Sequence, residues 1–196
     1  MEQTASLTKT ATSQSRYQLL CQAYAKNLSD FKLYKNACHR FLDQLMVKLQ
    51  QAFNIPSDKL SLRTKQDPKE LTDNLLDAMD MQKDTFWHVR ISITVCADNE
   101  EQVKERMSFE VMVKKLPTYY ILAIPKEREF NIEDNPQHDW DFTPFFDYLF
   151  ESLRSFYEHE LERFLNTGLA DKRQSSPIGF RFIIDDDEDD IEDGEY

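Results

Sequence analysis

From Tyr17 onward the apolar residues recur three and four positions apart: Tyr17, Leu20, Cys21, Tyr24, Leu28, Phe31, Tyr34, Cys38, Phe41, Leu42, Leu45, Leu49 and Phe53. That spacing places them along one side of a helix. It predicts either one long helix or two helices broken near "NLSD", with Ser29 capping the second. Asn54, Ile55 and Pro56 end the stretch, because a residue before proline is pushed out of the α region. In "KLSLRT", Leu60 and Leu62 alternate as in a short edge strand. "DPKELTDNLLDAMDM" then predicts a helix, with Asp67 as N-cap, Pro68 first and Glu70 completing an approximate capping box.

The period changes to two in the middle of the chain. In "FWHVRISITVCA", Trp87, Val89, Ile91, Ile93 and Val95 alternate with Phe86, His88, Arg90, Ser92 and Thr94. Alternation rich in β-branched residues predicts a half-buried strand. "MSFEVMVKKL" repeats it, with Met107, Phe109, Val111 and Val113 against Ser108, Glu110 and Lys114, and Met112 as the exception. "TYYILAI" predicts a third strand after a tight turn at Pro117. Asp98 to Glu105 reads as a charged connection and "KEREFNIEDNPQHDWD" as a polar loop.

A second long helix follows in "TPFFDYLFESLRSFYEHELERFLNTG", with Thr143 as N-cap, Pro144 as first helical residue and Gly168 beyond its end. Its apolar face runs from Phe145 and Phe146 to Phe164 and Leu165. "IGFRFII" predicts a last strand before the acidic run "DDDEDDIEDGEY". No βαβ alternation occurs, so the expected class is α+β: an antiparallel sheet of four to five strands with long amphipathic helices packed on one face. The expected organisation is an N-terminal lead-in at 1–15, one domain at 16–184 and an acidic tail at 185–196.

Composition narrows the function classes. Hydrophobic residues make up 40% of the 196, with fourteen Phe and eight Tyr, enough for a core. The only glycines are Gly168, Gly179 and Gly194, so no clustered phosphate-cradling loop or G-x-S-x-G elbow exists. The net charge is −12, but setting aside the nine acids of 185–196 leaves 27 acids against 24 bases, or −3. The body is therefore neither a basic nucleic-acid binder nor a carboxylate-coated mimic. Cys21, Cys38 and Cys96 lie far apart with no zinc spacing. Cys21 and Cys38 fall on apolar helix positions and read as buried free thiols of a reducing, cytoplasmic compartment.

Candidate chemistry is sparse. Asp84, Glu110, Lys114 and Lys115 are the nearest thing to a metal-dependent nuclease site, in which acids hold a divalent ion and a lysine faces the phosphate. "EVMVK" puts Glu110 and Lys114 on one strand face, but lacks the Glu-x-Lys spacing and preceding "PD" of that chemistry. The competing reading is a solvated face on which Arg90, Glu110 and Lys114 neutralise one another. "EHELE" lacks the second histidine of a zinc helix, since position 163 is Arg163. "HDWD" offers His138, Asp139 and Asp141 beside a packing Trp140.

These features together indicate a non-catalytic protein-interaction module (adaptor, inhibitor, chaperone or immunity-type partner) with no cofactor or metal. Its acidic tail would engage a basic protein surface through Asp185, Asp186, Asp187, Asp189 and Asp190, with Ile191 and Tyr196 as apolar contacts. A sheet face bearing His88, Arg90, Glu110, Lys114, Tyr120 and Leu122 is the other candidate surface. A homodimer through an apolar helix face is open; direct nucleic-acid binding and membrane insertion are not expected. The alternatives are a metal-dependent nuclease or nuclease subunit using Glu110 and Lys114, and a tail acting as a nucleic-acid mimic.

Overall fold

The computed structural model describes residues 14–67, 69–97 and 100–159, with backbone only at 100–103. The expected last strand at 178–184 and the acidic tail lie outside the described residues. The chain divides into two units between Asn36 and Ala37, within the first helix.

That helix, α1 (Arg16–Ala52), is continuous through "NLSD". Nothing breaks it there, because Ser29 and Asp30 both tolerate helix interiors when no proline or glycine follows. Its start is a reciprocal cap. The Gln18 N–H donates to Ser15 Oγ at 3.2 Å, and the Ser15 N–H donates to Gln18 Oε1 at 2.8 Å. Its end is a left-handed cap, with Asn54 at φ 51°. There the Ile55 N–H reaches the Gln50 carbonyl and the Asn54 N–H the Gln51 carbonyl. Asparagine takes the place glycine usually holds in this motif.

In the second unit the strands are β1 (Leu60–Arg63), β2 (Leu71–Thr72), β3 (Asp80–Met81), β4 (Trp87–Ala97), β5 (Glu100–Lys115), β6 (Tyr119–Ile124) and β7 (Arg128–Glu133). They form one antiparallel sheet in the order β2-β1-β4-β5-β6-β7, with β3 also on β4. The α+β class holds, with more strands than the four to five expected. "KLSLRT" is not an edge, since β1 lies between β2 and β4. Most of the charged stretch before Met107 is strand, because it pairs with the end of β4 as far as Ala97–Glu100. The "polar loop" contains β7, whose Phe130 and Ile132 are buried while Glu129, Asn131 and Glu133 are exposed.

The helix expected from Asp67 does not form. Asp67 Oδ1 accepts from the Lys69 N–H, and Glu70 N–H donates to the Asp67 carbonyl, closing a turn that leads into β2. Only one helical turn follows, α2 (Leu75–Ala78), and its cap is Asn74, which accepts from the Leu76 N–H at 3.1 Å.

The core lies on one sheet face. Val89, Ile91, Phe109, Val111, Val113, Tyr120 and Leu122 are buried there. Ala37 to Leu49 of α1 supply Cys38, Phe41, Leu42, Leu45 and Leu49. α3 (Thr143–Glu158) supplies Phe145, Phe146, Leu149 and Leu153. Asp141 Oδ1, not Thr143, caps α3 by accepting the Thr143 N–H at 2.9 Å. Leu161, Phe164 and Leu165 lie outside the described residues. Phe41 stacks on Tyr120 at 4.2 Å between ring centroids and meets Trp140 and Phe142 edge-on, both at 5.1 Å.

Phe41→Ala removes the ring that joins helix, sheet and loop. The expected loss is about 3–5 kcal/mol of unfolding free energy, read from the urea midpoint. A loss below about 1 kcal/mol would show that the core is organised elsewhere.

Candidate functional site

The face of β4 opposite the core carries the polar residues singled out by sequence. Register decides which of them meet. Arg90 stands opposite Glu110, Ser92 opposite Ser108 and His88 opposite Met112. Glu110 therefore reaches His88 diagonally, and Asp84 reaches it from the β3–β4 turn. His88 Nδ1 lies 3.1 Å from Glu110 Oε1 and Nε2 lies 2.9 Å from Asp84 Oδ2. Ionised carboxylates only accept, and a neutral imidazole donates once, so two such bonds require the imidazolium.

The electrostatics agree. Burial alone would lower the His88 pKa, but its bonds to Glu110 and Asp84 and their charges raise it. The bond to His88 holds Glu110 below the usual carboxylate range against the cost of burial, helped by Arg90. For Asp84, burial is outweighed by the Phe86 N–H and by His88, so its carboxyl also lies low.

This geometry fills the groups a nuclease would need. The two carboxylates sit on opposite edges of one imidazole, so they do not converge on a common ion. Among the described residues no group of three His, Cys, Asp or Glu is arranged to hold a metal ion. Lys114 Nζ donates to Thr85 Oγ1 at 2.7 Å and lies over the Phe86 ring. Lys115 faces the other way, pairs with Asp134 and covers the Tyr120 ring.

The expected surface patch is thus split. Tyr120 and Leu122 pair across β5 with Lys115 and Val113 on the core face and are buried. His88 is buried as well, at 7% exposure. Arg90, Glu110 and Lys114 remain on the polar face, as the two-residue period requires. The tail residues Asp185 to Asp190, Ile191 and Tyr196 lie outside the described residues. In "HDWD" the residues diverge: Asp139 pairs with Lys48, Trp140 is buried and Asp141 caps α3.

Sequence reasoning missed a second polar cluster. Arg63, 1% exposed, donates from Nε to Ser92 Oγ at 3.0 Å and to Ser108 Oγ at 2.7 Å. Only the pairing of Ser92 with Ser108, and of Arg63 with Arg90, puts these residues together. Alternation marked each serine as polar-facing but gave no register.

A different kind of surface lies on the first unit. Tyr17, Leu20, Tyr24, Leu28 and Phe31 continue the stripe whose later members are buried, yet each is 51–74% exposed. Cys21, expected to be buried, is exposed with them, while Cys38 is buried. Among the described residues no helix is long and apolar enough to cross a membrane. No family model, curated protein or solved structure matches this chain.

Two outcomes follow. His88 has its pKa raised, so the stability it supplies is complete below about pH 6.5, the ordinary imidazole value, and is lost as pH rises through its higher folded value. The two carboxylates have theirs lowered, so their share is lost only in acid, as pH falls through the folded values. At pH 6, His88→Gln should lower stability by about 1–3 kcal/mol in urea melts, and the gap to wild type should shrink toward pH 9. A gap that widens with pH would refute the imidazolium. Thr85 adopts φ 71°, which a β-branched residue resists. Thr85→Gly should exceed Thr85→Ala in stability by about 1 kcal/mol, reversing the usual order, because both lose the hydroxyl and only alanine keeps the clashing Cβ. Alanine equal or better would show an ordinary backbone there.

Proposed function

We propose that this protein is a non-catalytic protein-interaction module whose recognition element is the first part of α1. The observation that carries this reading is the stripe left exposed among the described residues. Five large side chains, Tyr17, Leu20, Tyr24, Leu28 and Phe31, lie on one face of a helix that is capped at Ser15 and exposed throughout this segment. Apolar contact area presented at helical spacing is the format by which a helix is read by a partner. The polar sheet face is compatible with the same reading, since among the described residues Asp84 and Glu110 bond His88 and hold it in a structural ion cluster. The acidic run at 185–196, with Ile191 and Tyr196, is suited to a second contact on a basic protein surface.

A photo-crosslinking amino acid tests this in the full-length chain in its host. Placed at Leu28, on the stripe, it should give a discrete protein adduct. Placed at Leu33, which is also exposed but on the opposite face, it should give none. No adduct from Leu28 or from Leu20 would remove the reading.

A further inference from the structure

The stripe on α1 is symmetric about one residue. Tyr17 and Phe31 lie seven positions to either side of Tyr24, and Leu20 and Leu28 lie four to either side. We infer that the partner of this face is a second copy of the chain, with the two helices packed antiparallel across a two-fold axis at Tyr24. This rests on the interaction reading above and names its partner. An isologous interface requires a surface that is its own complement, and residues equidistant from the axis then face each other. Here Tyr17 meets Phe31 of the second copy, Leu20 meets Leu28, and Tyr24 meets Tyr24. Each layer joins side chains of like size and character.

The charges fit the same arrangement. At about 100° per residue, Arg16 and Asp30 fall on one flank of the stripe and Lys32 and Gln18 on the other, while Lys26 points away. In an antiparallel two-fold pair each flank meets its own counterpart. With the axis at Tyr24, Arg16 of one copy lies level with position 32 of the other. That is within about 3 Å, along the axis, of Asp30 on the matching flank. Asp30 is the only acid between Arg16 and Asn36, and two equivalent Arg16–Asp30 pairs would form. Lys32 likewise comes within about 3 Å, along the axis, of Gln18 of the second copy. A parallel pair would instead separate Arg16 from Asp30 by about 20 Å and stack each lysine near its twin.

The area is sufficient. Aromatic side chains bury about 150–250 Å² each and leucines somewhat less, so three aromatics and two leucines that are half to three-quarters exposed offer roughly 600 Å² per copy. Two copies would cover about 1,200 Å², the lower end of specific interfaces, which suits a dimer of moderate affinity.

The test is sedimentation of the purified full-length chain in reducing buffer, because Cys21 is exposed, from about 1 to 100 μM. A monomer–dimer equilibrium is expected. L20D/L28D should weaken it by on the order of 100-fold or more, while L33D leaves it unchanged. R16E and D30R should each weaken the dimer by about five-fold, and R16E/D30R should restore it, because only the antiparallel register brings the two positions together. A wild-type chain that stays monomeric overturns the inference. So does a dimer indifferent to L20D/L28D, a double charge reversal no better than the single ones, or a monomer that binds vesicles of phosphatidylserine instead. If the chain is monomeric yet the Leu28 crosslinker yields an adduct heavier or lighter than two copies, the interaction reading stands and the second copy is wrong.

Discussion

β4 and β5 pair from Trp87–Val113 to Cys96–Lys104, and that register decides where nearly everything else in the second unit goes. It sends Ile91 and Phe109 to the same face as Tyr120, giving α1 and α3 an apolar floor. It sends Ser92 and Ser108 to the other face, where the Arg63 guanidinium bonds both. It also fixes the diagonal by which Glu110 reaches His88. A slip by one residue would turn all of these over at once, burying Glu110 in the core and leaving the aromatic residues of the helices facing charge. The bulge between Cys96 and Ala97 confines any irregularity to the far end of the pair, away from both clusters.

The elements that were legible are those with a sustained period. α1 and α3 announced themselves by three-four spacing over several turns, and β4, the end of β5 and β6 by alternation of β-branched and aromatic residues. The elements that were not legible are short or charged. β2 and β3 have two residues each, too few for any period, and exist because neighbouring strands offer them hydrogen bonds. β7 alternates, but Arg128, Glu129, Asn131 and Glu133 outnumber Phe130 and Ile132 and disguise it as loop. Asp67 does cap backbone locally, as its sequence context suggested, yet the chain it caps turns into a strand because tertiary pairing outweighs a local helix signal.

The polar sites show the same division. That Glu110, Arg90 and Lys114 share a face follows from period two alone. That Glu110 and Asp84 clamp one imidazole does not, because it needs the register of one strand pair and the shape of a turn strained at Thr85. Tyr120 was misplaced for a related reason. It was grouped with the polar residues of the candidate sheet face, but the Tyr119–Tyr120 pair gives no sign of which ring goes in, and stacking on Phe41 settles it. Cys21 and Cys38 both belong to the three-four apolar pattern and have opposite exposures, so periodicity identified the stripe but not how far along it burial extends.

Both tryptophans, Trp87 and Trp140, belong to the second unit, and both are buried. The described part of the first unit has aromatic rings in Tyr17, Tyr24, Phe31 and Tyr34 but no indole. The chain therefore carries a built-in separation of optical signals. Tryptophan emission follows the loss of the β-sheet core and is blind to the beginning of α1, whereas helical circular dichroism sees both. Where the two signals part during denaturation, residues 16–36 are the described helical segment whose own unit carries no indole, and the size of the difference bears on how far that segment keeps its order once the core is lost.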